Sequence, residues 1–437
     1  MYHFIGIKGA GMSSLAIILK RLGNDVQGSD VDKHFFTEKG LIENNIKMLT
    51  YNKDNITDNM IIIKGASITP DNEELIAAKK LNLPIYEYNE MVGILTEKYK
   101  TICIAGCHGK TTTTSMTAHV LGNIKGANYL IGDGQGYADK KNEFFALESC
   151  EYRRHFLAYT PYYAVITNID LDHVDYYKDI DDIIDAYTEY ANKATKMVIM
   201  CGDDKYITKF KPSKETIYYG LNENNNIRAI NIEYKSNGIS FDVLTNNKLY
   251  GHFDLPIYGI HQLYDALAVI TICYLENIAS ELVNKEFQTF KGARRRFTET
   301  IVKDNIIIDD YAHHPKEVQA TINSIRQKYP DKKIITIFQP HTFTRTKEFA
   351  SDFVDIFKTV DEAYIMDIHP AREKQEDYPD ITSDIIISKL PNGHKLTIND
   401  ANVLSKYNNA VFAFMSPNDV SKLENDLKEL LTNSKLS

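Results

Sequence analysis

The chain has 437 residues, 43% hydrophobic and 25% charged, enough apolar material for several cores, and at roughly 100–200 residues per domain the length predicts two to four domains. A net charge of −9 and a pI near 5.8 exclude a general nucleic-acid binder, which carries a basic excess, but leave room for a locally basic nucleotide site. The five cysteines, Cys103, Cys107, Cys150, Cys201 and Cys273, include no CxxC pair, which argues against a disulfide framework or a structural zinc. No run of about 18 apolar residues occurs, so no membrane span and a cytoplasmic location are expected.

The first block, residues 1–95, alternates β-branched runs with amphipathic stretches, with strands predicted at His3–Ile7, Asp25–Gln27 and Met60–Ile63. Glycines at Gly6, Gly9 and Gly11 separate the first strand from a helix. Such a turn lets a phosphate approach the backbone and points helix N–H groups at it. Its spacing is GxxGxG, and a tight turn with no ligand is the alternative. Asp30 follows the second strand, where an acid can meet a ribose hydroxyl.

The second block, residues 96–290, has strands predicted at Thr101–Ala105, Ala164–Thr167 and Met197–Met200. The first runs into Gly106-Cys107-His108-Gly109-Lys110-Thr111-Thr112, a shortened phosphate loop with Ile104 where the full spacing has glycine. Backbone N–H groups there cradle phosphates, a lysine neutralises the transferring group and a threonine hydroxyl meets Mg²⁺. Cys107 and His108 have no partners at metal-ligand spacing and read as loop residues with polar contacts. Two acidic clusters follow apolar runs: Glu148 to Glu151, then Asp170, Asp172, His173 and Asp175. Ligands of open α/β sheets bind beyond such strand ends. Glu151 suits Mg²⁺, and His173 a second metal or a phosphate oxygen. Asp170 and Asp175 read as helix caps or solvated charge. The polar start of the helix at His261, Gln262 and Asp265 reads as capping.

The third block, residues 291–437, has strands predicted at Ile306–Ile308, Ile334–Phe338, Ala363–Asp367 and Ala410–Phe414. Of Arg294, Arg295 and Arg296, at most two can meet one phosphate. Asp309, Asp310, His313 and His314 end an apolar strand ahead of Pro315, a residue suited to a first helical turn. His341 and Arg345 follow the next strand, and an arginine fork matches a carboxylate or acyl phosphate.

Together these stretches resemble the Mur ligases. The likeness rests on GAGMSSLA at 9–16, GCHGKTTTT at 106–114, ESCEYRRHF at 148–156, TNIDLDHVDYY at 167–177, RRRF at 294–297, DDYAHHPKE at 309–317 and QPHTFTRT at 339–346. It implies an α/β protein of three domains. The first, residues 1–95, is Rossmann-like and binds the UDP part of a substrate. The second, residues 96–290, is a phosphate-loop ATPase with a mostly parallel sheet that holds ATP and Mg²⁺. The third, residues 291–437, is Rossmann-like and closes over the site. The implied reaction phosphorylates a carboxylate, and an amine then displaces the phosphate. By resemblance, Lys110, His314 and Arg345 act in catalysis. Gly106, His108, Gly109, Lys110, Thr111, Thr112, His261 and Arg296 meet ATP. Gly9, Gly11, Met12, Asp30, His173 and Arg345 meet substrate, and Thr111, Glu151 and His173 hold metal.

The DDYAHHP and ESCEYRRHF stretches point to the branch that joins L-alanine to UDP-N-acetylmuramate in peptidoglycan precursor synthesis. The expected partners are those two small molecules, with no nucleic acid or membrane, for a monomer or homodimer. A recycling ligase that adds a tripeptide and a nucleotide-binding paralogue without catalysis are the alternatives. The chain departs from the family at Cys107, at Gln262 and Asp265 where adenine contacts are expected, at Thr342 and at the turn Ser416–Asp419.

Overall fold

The apolar runs pair into three sheets in a computed structural model of the chain, which describes residues 1–171, 173, 176–210 and 212–433. The first sheet is wholly parallel, in the order Lys47–Thr50, Val26–Asp30, Tyr2–Ile5, Ile61–Lys64, Ile85–Glu87. Phe4, Ile5, Ile62 and Ile63 are fully buried in it, which is why these short runs read as continuous apolar strands. The strand order reverses at Tyr2–Ile5, so its carboxyl-end turn lies at the position where open sheets bind ligands. Ile7, predicted as strand, lies in that turn with Gly6 at φ 88. A buried carboxylate braces the sheet. Glu74 accepts hydrogen bonds from the Ser29 hydroxyl, Asn52 N at 3.1 Å and Asn55 Nδ2 at 2.7 Å, and pairs with His3 at 3.3 Å.

The second sheet has ten strands in the order Lys248–Leu255, Gly238–Thr245, Ile227–Lys235, Thr216–Gly220, Met197–Cys201, Tyr163–Ile166, Lys100–Ala105, Phe144–Glu148, Ala127–Ile131, Gln135–Tyr137. From Ile227–Lys235 to Ala127–Ile131 its pairings are parallel, and Gln135–Tyr137 joins antiparallel. The helix Ala10–Arg21 reaches this sheet's edge: Arg21 Nε donates to Ala138 O at 3.0 Å and its guanidinium lies 4.1 Å from the Tyr137 ring centre.

The third sheet pairs Thr298–Val302 antiparallel with Asn305–Asp310, then continues in parallel through Ala410–Met415, Lys333–Phe338, Glu362–Ile365 and Gly393–Lys395. Its two faces bury separate clusters, one around Ile308, Phe338 and Phe357, the other around Ile337, Phe412 and Leu427. The α/β architecture of three sheet-centred parts is thus the one expected. By contacts the chain divides into two compact units. The first is Met1–Ile232 with Phe241–Leu255 and Tyr264–Phe290; the second is Glu233–Ser240 with Pro256–Leu263 and Lys291 onward. Among the described residues no helix is long and apolar enough to cross a membrane.

Candidate active site

In the first unit the buried strand Lys100–Ala105 ends at Gly106, and the helix Lys110–Lys125 starts four residues later. Gly106 has φ 143 and Gly109 φ 81, backbone that side-chain-bearing residues rarely adopt. Space excludes a side chain as well: a β-carbon at Gly106 would collide with Thr167 Oγ1, and one at Gly109 with the Asp265 carboxylate. Loop and neighbouring strand end are laced together. His108 N donates to Asn168 Oδ1 at 2.9 Å, while His108 O accepts from Thr167 Oγ1 at 2.7 Å and Asn168 Nδ2 at 2.8 Å. The loop is therefore held in one shape by the chain itself, and the first N–H groups of its helix have no acceptor within the helix.

Lys110 and Glu151 form the charged centre. The ammonium donates to the carbonyls of Gly106 and Cys107 and lies 3.1 and 3.0 Å from the two Glu151 oxygens. Burial works against the Lys110 charge, but the Glu151 carboxylate outweighs it and raises the lysine pKa. Burial likewise opposes the Glu151 charge, yet Lys110 and then His173 hold its pKa below the usual range. His173 Nε2 stands 3.2 Å from Glu151 Oε1, and its ring packs against Tyr152 at 4.9 Å. Arg153, Arg154 and His173 all have positive φ, at 52, 58 and 52, local strain of a kind concentrated at functional sites. Arg154 is pinned by Asp182 at 2.6 Å, and Tyr177 OH donates to Glu151 O at 2.6 Å.

Thr111 Oγ1 donates to Glu148 Oε1 at 3.0 Å, and Glu148 Oε2 accepts from Gly132 N at 2.7 Å. Of the three expected metal residues, Glu151 and His173 are thus in contact with each other, while Thr111 meets Glu148, which the sequence reading passed over. Thr112 is half-buried in the first helical turn. Asp170 is not the solvated cap expected of it. Its carboxylate stands 3.3 Å from His108 Nε2 and its N–H donates to Cys107 Sγ at 3.1 Å, so it belongs to the phosphate loop's surroundings. Asp172 and Asp175 lie outside the described residues. Asp265, expected near adenine or as a cap, accepts from Thr113 Oγ1 at 3.0 Å beneath the loop.

At the first sheet, Gly9 caps the helix Ala10–Arg21 and Met12 is buried under its first turn. Asp30 turns both oxygens to main chain, accepting from Lys8 N at 2.7 Å and Val31 N at 2.8 Å. It thereby fixes the Gly6–Gly11 turn, which the ribose reading of Asp30 did not foresee.

In the second unit His314 caps the helix Pro315–Lys328, with Nδ1 accepting from Lys316 N at 3.3 Å. That bond puts the proton of a neutral ring on Nε2, so His314 is a donor there. Glu317 completes the cap by accepting from His313 N and His314 N, and its other oxygen lies 3.8 Å from Arg296. Arg295 instead pairs with Asp309 and donates to the carbonyls of Ser416 and Asn418, anchoring the turn after the last strand. Arg345 Nη1 lies 3.2 Å from His341 Nδ1. Burial, then the His313 and Arg345 charges, lower the His341 pKa to about 3, so it is a neutral acceptor for Arg345. Thr342 sits between them at φ 65, a conformation β-branched residues avoid, held by Thr342 N donating to His369 O at 2.8 Å. His261 is half-buried, and loss of hydration followed by the Arg296 charge lowers its pKa to about 4. Gln262 Oε1 accepts from Tyr258 N at 3.4 Å, ahead of the helix Ile260–Leu275.

Asp310 gives this unit an unusual pH dependence. Burial raises its carboxyl from 3.8 to about 6 despite Arg296 and two main-chain donors. An acid whose folded pKa exceeds its unfolded value stabilises the fold fully below the unfolded pKa, and that contribution is lost as pH rises through the folded one. The wild type should therefore gain stability relative to Asp310→Asn as pH falls from about 8 to about 5. Thermal melts check this; parallel curves would contradict it.

The glycine-rich loop opening a helix beneath a mostly parallel sheet defines a phosphate-loop α/β protein. Residues 1–100 match the model of the Mur ligase family catalytic domain, residues 104–273 that of the Mur ligase middle domain and residues 295–418 that of the Mur ligase glutamate ligase domain. The chain belongs to the Mur ligase family, whose members are ATP-dependent amide-forming ligases. It shares its fold with the UDP-N-acetylmuramate-alanine ligase of Thermotoga maritima, at 24% identity and a TM-score of 0.82 over 99% of each chain. A murein peptide ligase of Psychrobacter arcticus 273-4 is similar at 19% identity and a TM-score of 0.72, over 100% of this chain and 99% of that one. The MurF ligase of Thermotoga maritima in complex with ADP matches at 16% identity and 0.65, over 95% and 97%.

Proposed function

We propose that this chain joins L-alanine to the carboxylate of UDP-N-acetylmuramate with Mg-ATP as phosphoryl donor, in cytoplasmic synthesis of peptidoglycan precursors. The observation that carries the reading is the Lys110–Glu151–His173 cluster on a phosphate loop with no room for side chains at Gly106 and Gly109. The DDYAHHP and ESCEYRRHF stretches support the alanine-adding branch. Residues 1–95 would bind the UDP part, 96–290 the ATP, and 291–437 would supply His314 and Arg345.

The donor set fits Mg²⁺. Thr111 Oγ1 and the Glu148 and Glu151 carboxylates are hard oxygens, and Glu151 Oε2 is buried without a hydrogen bond, 3.0 Å from the ammonium. When bound, the ion supplies positive charge against the phosphate oxygens. The chain's residues do the rest. Loop N–H groups from Gly109 to Thr112 hold phosphate oxygens, and Lys110 turns from Glu151 to the transferring group. The substrate carboxylate gains the γ-phosphoryl group, ADP leaves, and the alanine amine then displaces phosphate. Arg345, steadied by neutral His341, holds the acyl phosphate through its fork. Protonated on Nε2, His314 donates to an acceptor and so orients the substrate.

The fold is shared with a murein peptide ligase as well, which makes tripeptide addition the second reading. Incubation with UDP-N-acetylmuramate, ATP and Mg²⁺, with L-alanine or tripeptide offered separately, decides by product mass. The expected product is heavier by one alanine residue; a product formed from tripeptide alone would establish the other reading.

A further inference from the structure

Tyr88 follows the edge strand Ile85–Glu87 of the first sheet and opens the helix Tyr88–Thr96. Its ring lies on Gly11, where a β-carbon would stand 2.8 Å from Cζ and 2.9 Å from the hydroxyl oxygen. The absent side chain at Gly11 therefore makes room for a phenol beside the glycine turn that caps the helix Ala10–Arg21. The capping box of Glu87 and Glu90 fixes the first turn of the tyrosine's own helix, with Glu87 N donating to Glu90 Oε2 at 2.8 Å. The hydroxyl makes no hydrogen bond to another described residue. Two features thus meet at one spot: a turn whose N–H groups suit a phosphate, and a fixed, uncommitted O–H donor. Burial, followed by the nearby Glu148 charge, raises the phenol pKa, so the group stays a donor.

We infer that the Tyr88 hydroxyl is a substrate-binding group that donates a hydrogen bond to the diphosphate–sugar part of the acyl substrate. It rests on the reading that this substrate is a UDP-linked sugar acid. Gly11 then serves the ligand indirectly, by letting Tyr88 approach the turn.

Calorimetric titration of the full chain with UDP-N-acetylmuramate, UMP and ADP tests this for the wild type and Tyr88→Phe. Phenylalanine keeps the ring on Gly11, so the melting temperature should hold. UDP-N-acetylmuramate affinity should fall about tenfold, the size of one hydrogen bond to a charged group. Affinities for UMP, which lacks the second phosphate and sugar, and for ADP should not change. Equal UDP-N-acetylmuramate affinities in the two proteins would overturn the inference, as would an equal loss for UMP. A wild type that binds ADP but no UDP-N-acetylmuramate would overturn the substrate reading and the inference with it.

Discussion

Replacing Lys110 with methionine is expected to lower turnover by at least about 10³-fold, the scale on which fixed charges act on a transferring phosphoryl group. The substitution also has a structural cost. Glu151 is 2% exposed, with the Lys110 ammonium at 3.0 Å and the His173 ring at 3.2 Å. Removing one partner of a buried pair costs about 3–5 kcal/mol where the other is left with no hydrogen-bonding partner. With His173 still in contact, the loss should lie toward the lower end. The double variant Lys110→Met with Glu151→Gln removes the stranded charge. It should recover most of the melting temperature and none of the turnover. Recovery of stability without activity separates the lysine's chemistry from its ion pair. Wild-type turnover in the single variant would rule out Lys110 as the phosphoryl-neutralising group.

The second large effect is expected at Gly106. Its φ of 143 costs a residue with a side chain of order 1–3 kcal/mol, before the collision of the new β-carbon with Thr167 Oγ1 is counted. Alanine there must push the loop away from Thr167, which breaks the bond from Thr167 Oγ1 to His108 O and tilts the N–H groups out of register with a phosphate. ADP affinity should fall by about a hundredfold or more, because several charge-assisted hydrogen bonds are misaligned together. Adding Thr167→Ala removes the colliding atom but not the backbone strain, so partial rescue of ADP binding is expected. Wild-type affinity in Gly106→Ala, measured by calorimetry, would mean that the loop does not bind phosphate in the shape seen here.

Much of this was legible in the chain. The strands Tyr2–Ile5, Lys100–Ala105, Lys333–Phe338 and Ala410–Met415 were readable as apolar runs because parallel sheets bury both faces of their strands. The strands Ile227–Lys235, Gly238–Thr245 and Lys248–Leu255 were not. Ile227–Lys235 is buried only at its start and exposed or half-buried afterwards, so it shows neither an apolar run nor clean alternation. The phosphate loop was legible because its parts are consecutive, and Glu151 because an acid after a strand end has few other uses. Glu148 was missed beside it because nothing local marks which of two acids faces Thr111. Asp170 and Asp265 were misread as caps because their partners, His108 and Thr113, are 62 and 152 residues away in the chain. A carboxylate's long-range partner leaves no mark in its own neighbourhood. The positive φ of Thr342 had no signal either, since threonine is the last residue type expected there.

The most direct test of the account is phosphate release from ATP by the purified full chain with Mg²⁺ and UDP-N-acetylmuramate, in the presence and absence of L-alanine. Sustained release that requires both, stoichiometric with a product one alanine residue heavier, is the expected result. ADP binding with no phosphate release under any of these conditions would contradict it and leave a nucleotide-binding paralogue without this catalysis.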